Sequence, residues 1–273
     1  MRKMGPCRLI VSAMLVLCWG LPAKAAEPVD VALVLAVDVS RSMSFDELRI
    51  QRQGYAAAIS SPEVLRAIGQ GVHGRIGVTF FEWAGNHHFQ KIIDWTVIET
   101  EADAVSIANR LLEENSLGAR RTSISGAIQA GMLLLNDVPF PADRLVIDIS
   151  GDGPNNQGLA VTEARDMAVA RGIVINGLPL MTSGGLGSQY NIDDLDEYYR
   201  RCVIGGPGSF VVPVTNWPQF PDAVRRKLVL EIGNHAAEPK VWKAQITFSK
   251  PYDCLIGEKI RQQREWQFDN DSR

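Results

Sequence analysis

The stretch Val31-Ala-Leu-Val-Leu-Ala-Val37, followed directly by Asp38-Val-Ser-Arg-Ser42, decides the fold of this chain. An unbroken apolar run that ends at an acid is typical of a strand buried on both faces of a parallel sheet. Ser44 and Glu47 then form a capping box, which predicts a helix that runs to about Ser60. A buried strand followed by a capped helix indicates the first half of a βαβ unit.

The same alternation continues along the chain. Further strands are predicted at 75–83, 88–95, 145–149, 173–178 and 210–214, and helices at 102–114, 124–135, 159–171, 193–201 and 221–232. The turn Gly85-Asn86 joins two of these strands directly, which predicts one antiparallel edge. The fold class is therefore α/β: a doubly wound, mainly parallel six-stranded sheet with one antiparallel edge strand and helices on both faces.

The first 25 residues predict a secretory signal. A basic start precedes the apolar run Leu9–Leu21, and Ala23-Lys24-Ala25 is a small-residue cleavage site. The run is shorter than the ~20 residues that span a bilayer, so we expect no permanent membrane anchor. We expect the mature chain to be exported and soluble.

The mature chain is acidic. The full sequence has 28 Lys and Arg against 31 Asp and Glu, and removal of the four basic residues in 1–25 leaves 24 against 31, a net charge of −7. An acidic chain repels phosphate backbones, which argues against nucleic acid as a partner. Hydrophobic residues make up 46% and charged residues 22%, which argues against disorder, collagen and coiled coil.

Small oxygen-bearing side chains follow the predicted strands. Asp38, Ser40 and Ser42 come after the first strand, Thr122 precedes the helix at 124–135, and Asp152 follows the strand at 145–149. Ligands of doubly wound sheets bind beyond the carboxyl ends of the strands. Two carboxylates and three hydroxyls form a hard, oxygen-only set of the kind that suits Mg²⁺ or Mn²⁺.

In order and spacing this set resembles the metal-ion-dependent adhesion site (MIDAS) of von Willebrand factor type A (vWA) domains. Ser150-Gly-Asp-Gly-Pro-Asn-Asn156 and Gly205-Gly-Pro-Gly208 look like an exported bacterial branch of that superfamily. The resemblance covers roughly 27–233 and leaves the tail unexplained. Together with the predicted signal, it divides the chain into a signal peptide at 1–25, a vWA-like domain at 26–233 and a C-terminal extension at 234–273.

The resemblance also implies the role of each site residue. Ser40 and Ser42 would bind the ion directly, Thr122 directly or through water, and Asp38 and Asp152 mainly through water. The cation would be Mg²⁺, with Mn²⁺ or Ca²⁺ as alternatives. Neutral hydroxyl ligands would leave its charge uncompensated, so an open position would attract a carboxylate from another molecule.

The expected function is thus an exported binding protein, periplasmic or secreted in a bacterium and not an enzyme. It would engage an Asp or Glu of a protein partner through the cation. Arg41, Arg120 and Arg121 are candidate rim residues for an acidic ligand. Two alternatives stay open: a metal-assisted hydrolase in which Asp38 or Asp152 activates bound water, and an assembly factor in which the ion only staples loops.

Three features have more than one interpretation. Cys202 and Cys254 remain after signal removal, either as a disulfide or as free buried thiols. Asp148 lies inside an otherwise apolar strand and needs a partner, such as Arg144 or Arg165. The pair His87-His88 is interpreted as solvated residues at a hairpin tip, because adjacent strand residues point to opposite faces.

Overall fold

A central sheet of five strands organises the chain. The computed structural model describes residues 26–113, 116, 118–182, 192–233 and 251–271, with side chains up to 267. The predicted signal peptide lies outside these residues. The strands are β1 (Ala32–Asp38), β2 (Ile76–Trp83), β3 (Phe89–Ile98), β4 (Leu145–Gly151) and β5 (Ile173–Pro179), arranged in the order β3-β2-β1-β4-β5.

The sheet is parallel except at one edge. Strand β1 pairs in parallel with β2 and β4, β4 pairs in parallel with β5, and β3 runs antiparallel to β2. The α/β class, the mainly parallel sheet and the antiparallel edge are therefore confirmed. Every residue of β1 is buried, as expected for a strand covered on both faces.

The prediction of six strands is wrong by one. Segment 210–214 lies beside β5 but meets it only at isolated parallel bridges, made by Gly177 and Leu180. Between these two bridges the ladder needs an amide hydrogen from Pro179, and proline has none. The sixth segment occupies the predicted place, but its pairing is too interrupted to form a strand.

Helices cover both faces. They are α1 (Phe45–Ile59), α2 (Pro62–Gly69), α3 (Glu101–Glu113), α4 (Ile124–Asn136), α5 (Val161–Val169), α6 (Leu195–Tyr198), α7 (Phe220–Gly233) and α8 (Ile256–Asp271). A π-helical turn, Tyr199–Val203, follows α6, and a 3₁₀ turn, Trp217–Gln219, precedes α7. Side chains alternate along β1, so Leu33 and Leu35 pack in the cluster with α1, α2, α3 and α7, whereas Val34 and Ala36 pack in the cluster with α4 and α5.

Two consecutive helices follow β1, of which only the first was predicted. Ser44 and Glu47 form the expected capping box at the start of α1, which ends at Ile59, close to the predicted Ser60. Ser61 then caps a second helix, and Pro62 occupies its first turn. Proline is well tolerated at that position because its missing N–H would have no helical partner.

The C-terminal segment packs back on the sheet domain. Cys202 and Cys254 form a disulfide, which selects one of the two predicted alternatives. Tyr252 contacts Tyr198 beside this bridge, with ring centroids 6.2 Å apart and the ring planes at 59°. Within the described part of the chain, no helix combines the length and apolar character that crossing a membrane requires.

Candidate metal centre

The carboxyl ends of β1 and β4 bring the predicted ligands to one edge of the sheet. Asp38 is the last residue of β1, and Asp152 directly follows β4. The two strands are neighbours, with Val37 opposite Ser150 in the ladder. Because adjacent parallel strands end at the same edge, side chains from positions 38–42 and 152 can meet although about 110 residues separate them.

Hydrogen bonds join four of the five predicted ligands. Ser42 Oγ donates to Asp152 Oδ1 at 2.7 Å, and Ser40 Oγ lies 2.8 Å from Ser42 Oγ and 3.5 Å from Asp152 Oδ1. Asp38 Oδ1 accepts from the Ser40 amide at 2.7 Å, which turns the loop sharply after the strand. The side chains of Ser40 and Ser42 therefore meet at Asp152.

Thr122 lies in the loop beside this cluster. Ser40 pairs with Ala119 in an isolated bridge, which fixes that loop against the end of β1. Arg121 has φ of 77°, a left-handed conformation that side chains avoid, and it turns the chain into Thr122. The described contacts of Thr122 are made by its main chain, which exchanges hydrogen bonds with Asn156.

The asparagines of the stretch 150–156 hold the loops that carry the site. The Asn156 side chain accepts from the Thr122 amide at 3.0 Å, and the Asn155 side chain accepts from the Ser125 amide at 3.0 Å. Both asparagines are buried. Sequence analysis used them only for the family resemblance, although two adjacent amides after a site acid are a signal for loop-fastening side chains.

The two site carboxylates repel each other in a buried environment. Burial, followed by the charge of Asp152, raises the pKa of Asp38 well above its ordinary value. Burial raises the pKa of Asp152 to about 6, against the opposing effect of the Ser42 hydroxyl. Asp38 Oδ2 is buried and has no hydrogen-bond partner among the described residues. A cation at this point would offset both the desolvation and the repulsion.

The spacing of these oxygens suits a small divalent ion. Ligand oxygens about 2.1 Å from an octahedral Mg²⁺ lie about 3 Å from one another along its edges. The hydroxyl oxygens of Ser40 and Ser42, the two expected direct ligands, are 2.8 Å apart. The donor set also has the oxygen-only chemistry that Mg²⁺ prefers, so these residues fit the ion that the sequence predicted.

Helix α8 borders the site on one side. Glu258 accepts from the Asn155 side chain at 2.7 Å, and Glu265 forms an ion pair of 3.1 Å with Arg121. A Cβ at Gly257 would lie only 2.1 Å from the Asn155 carbonyl oxygen, so α8 needs a glycine at this contact. Of the predicted rim residues, Arg41, Arg120 and Arg121 are all exposed, and Arg121 is engaged by α8.

The buried acid in β4 has a partner that sequence analysis did not identify. Lys227 of α7 lies 2.6 Å from Asp148 and also contacts Glu231, and all three side chains are buried. The two arginines suggested as partners of Asp148 are wrong. Arg144 donates to the Ile232 carbonyl, and Arg165 pairs with Asp166. Asp148 therefore anchors α7 beneath the sheet.

Comparisons with known proteins place the chain among others of similar fold. Residues 28–236 match the family model described as "Protein of unknown function (DUF1194)". The comparison with curated proteins gave no match. Proximal thread matrix protein 1 from the mussel byssus, in a structure described as having a "zinc occupied MIDAS motif", is 13% identical with a TM-score of 0.51 over 75% of this chain and 46% of that chain.

Two further solved structures extend this result. The pilus adhesin SpaC from Lactobacillus rhamnosus GG is 12% identical with a TM-score of 0.52 over 77% of this chain and 31% of that chain. A von Willebrand factor type A protein from Catenulispora acidiphila is 10% identical with a TM-score of 0.48 over 75% of this chain and 43% of that chain. This chain spans less than half the length of each of these three proteins.

Proposed function

We propose that this chain, which belongs to the family described as "Protein of unknown function (DUF1194)", is an exported binding module. It would engage a protein partner through a divalent cation. Asp38, Ser40, Ser42, Thr122 and Asp152 would hold the cation, with Mg²⁺ as the natural ion and Mn²⁺ or Ca²⁺ as substitutes. The partner would offer an Asp or Glu to an open coordination position.

The observation that carries the proposal is the hydrogen-bonded cluster of two serine hydroxyls and two buried carboxylates at the carboxyl edge of the sheet. Two hydroxyls and an acid lie within 2.7 to 3.5 Å of one another, where both acids have raised pKa values. Such a cluster is costly without a cation. When bound, the cation would supply positive charge that neutral serine ligands leave largely uncompensated, and this favours an incoming carboxylate.

The serines have the surroundings of ligands and not of nucleophiles. Ser40 and Ser42 contact each other and Asp152, and none of their described hydrogen bonds involves a histidine. The carboxylate that accepts from Ser42 is itself a predicted ligand of the cation, and the histidine that commonly activates a serine nucleophile is not among these described contacts. This supports binding in preference to covalent catalysis.

The surroundings of the site favour an acidic ligand as well. Arg41 and Arg120 are exposed beside the loops that carry Ser40 and Thr122. We propose that these guanidinium groups orient the incoming carboxylate and that the loops 83–88, 117–123 and 181–192 set the choice of partner.

An oxidising compartment fits the disulfide of the extension. The Cys202–Cys254 bridge requires conditions in which disulfides persist, such as the bacterial periplasm or the exterior. We therefore propose that 1–25 is removed on export, that 26–233 is the binding domain, and that 234–273 is an extension fastened to it.

Affinity capture from the exported fraction tests the proposal. The full mature chain is used as bait with Mg²⁺, with chelator, and as Ser42→Ala, with Ser60→Ala as a matched serine control at the far end of α1. We expect a partner that is retained with Mg²⁺ and by Ser60→Ala, and released by chelator and by Ser42→Ala.

Retention under all four conditions would contradict ion bridging. A melting temperature that falls in chelator while the partner stays bound would instead show that the ion only staples loops. Far-UV circular dichroism of Ser42→Ala separates loss of the ligand from loss of the fold.

A further inference from the structure

A second cluster of metal-ligating side chains lies at the opposite edge of the sheet. Asp30 lies two residues before the start of β1, His73 lies in the loop before β2, and Asp143 lies two residues before the start of β4. Strands β2, β1 and β4 are neighbours in the sheet. Their amino ends therefore bring together three residues that are far apart in the sequence.

Asp30 is held in place by the loop that carries His73. Its side chain is 4% exposed, and its oxygens accept hydrogen bonds from the amides of His73 at 2.9 Å and Arg75 at 3.2 Å. A Cβ at Gly71 would lie 2.1 Å from Asp30 Oδ2, so the loop wraps closely around this carboxylate. A carboxylate oxygen has two lone pairs, so each oxygen can accept these bonds and still bind an ion.

The second and third ligands are already close to each other. His73 Nε2 lies 3.1 Å from Asp143 Oδ2, and one ligand atom from each of the three residues lies within 4.8 Å of the other two. Ligands about 2.0–2.1 Å from a tetrahedral zinc ion lie about 3.3–3.4 Å apart. The Asp143 side chain is 56% exposed and the His73 side chain 24% exposed, so both can rotate to close the remaining distance onto the fixed Asp30.

The charge around this cluster favours a cation. Arg75 is paired with Glu27 and lies 3.7 Å from Glu99. Arg144 donates to a main-chain carbonyl, and the charges of Asp30, Glu231 and Asp143 act on it. Each of these two guanidinium groups is thus already engaged by acids, which leaves Asp30 and Asp143 to favour a cation.

We propose that Asp30, His73 and Asp143 form a second metal site, which binds Zn²⁺ or a similar transition-metal ion at the amino edge of the sheet. One imidazole and two carboxylates suit zinc, whereas the oxygen-only set at the carboxyl edge suits Mg²⁺. Three protein ligands leave at least one position for water. The proposal does not depend on the function of the first site.

Zinc binding to the full mature chain without an affinity tag tests the site. All measurements are made on a chain that carries Ser42→Ala, which is expected to prevent zinc from binding at the first site. Calorimetric titration with Zn²⁺ is expected to show one ion per chain in this background. Adding His73→Ala or Asp143→Asn is expected to weaken binding at least tenfold, whereas the matched control His87→Ala leaves it unchanged.

Cobalt gives a second readout. Co²⁺ absorbs visible light strongly when its coordination number is low, as it would be with three protein ligands and water. We expect this absorption band in the Co²⁺-loaded protein and expect His73→Ala to lose it. Asp143→Asn alters a half-exposed residue, so it keeps the test valid if His73→Ala fails to fold. Absence of zinc binding in the Ser42→Ala background, or equal binding in both site variants and the control, would overturn the proposal.

Discussion

Replacement of Asp152 by Asn should make the metal-free protein more stable while it abolishes the response to Mg²⁺. Burial raises the pKa of Asp152 from an ordinary value of 3.8 to about 6. A tenfold change in a proton equilibrium is worth about 1.4 kcal/mol, so ionised Asp152 lowers the free energy of unfolding by about 3 kcal/mol at pH 7. Asparagine keeps the acceptor for Ser42 without the charge, and therefore removes this penalty.

The sign of the pH dependence follows from the same shift. Because the folded-state pKa is above the unfolded one, the penalty appears as the pH rises through about 4 and is complete above about 6. In chelator, we expect the free energy of unfolding of Asp152→Asn to exceed that of the wild type by about 3 kcal/mol at pH 7. Near pH 4 the two free energies should be almost equal. Asp46→Asn, an exposed acid on α1, is the control and should change stability by less than about 0.5 kcal/mol.

Urea denaturation at pH 4 and pH 7, with chelator and with saturating Mg²⁺, measures all of these values. At a concentration 100 times its dissociation constant, a bound ion adds about 2.7 kcal/mol to the wild type. Asp152→Asn should show little of that gain. If Asp152→Asn in chelator is no more stable than the wild type at pH 7, the site lacks the cost of burying an ionised Asp152 from which we infer a cation.

Other changes test other parts of the structure. Lys227→Met should lower the free energy of unfolding by about 3–5 kcal/mol in urea denaturation, because Asp148 and Glu231 would remain buried without a cation. This loss should shrink toward pH 5 as the two acids take up protons. An unchanged urea midpoint would contradict the anchoring of α7. Cys254→Ser should remove amide-exchange protection from α8 but not from β1, as read by mass spectrometry; continued protection of α8 would show that its other contacts suffice. Thr122→Ala should weaken Mg²⁺ binding about tenfold in calorimetry while stability in chelator stays the same; unchanged affinity would remove Thr122 from the ligand set.

The first strand and its loop were predictable because their signals are local. An apolar run ending at Asp38 indicates a strand buried on both faces, and alternating residues of an extended loop share a side. Parallel topology then brings Asp152 to the same edge. The contacts among Asp38, Ser40, Ser42 and Asp152 in the structure follow from these local signals and the parallel topology alone.

Other features depend on strand order and register, which local patterns do not contain. Pro179 is visible in the sequence, but its effect on segment 210–214 appears only when the pairing is known. Lys227 is distant from Asp148 along the chain and no spacing rule connects them. The Asp30–His73–Asp143 cluster has no motif for the same reason, since each residue precedes a different strand.

Manganese in the crystal is the most direct test of the central claim. Anomalous scattering from crystals of the mature chain grown with Mn²⁺ locates the ion independently of any partner. The account predicts one peak within coordination distance of the Ser40 and Ser42 hydroxyls, with at least one water in its shell. A saturated crystal that lacks this peak, and in which Ser42 still donates to Asp152, would contradict it.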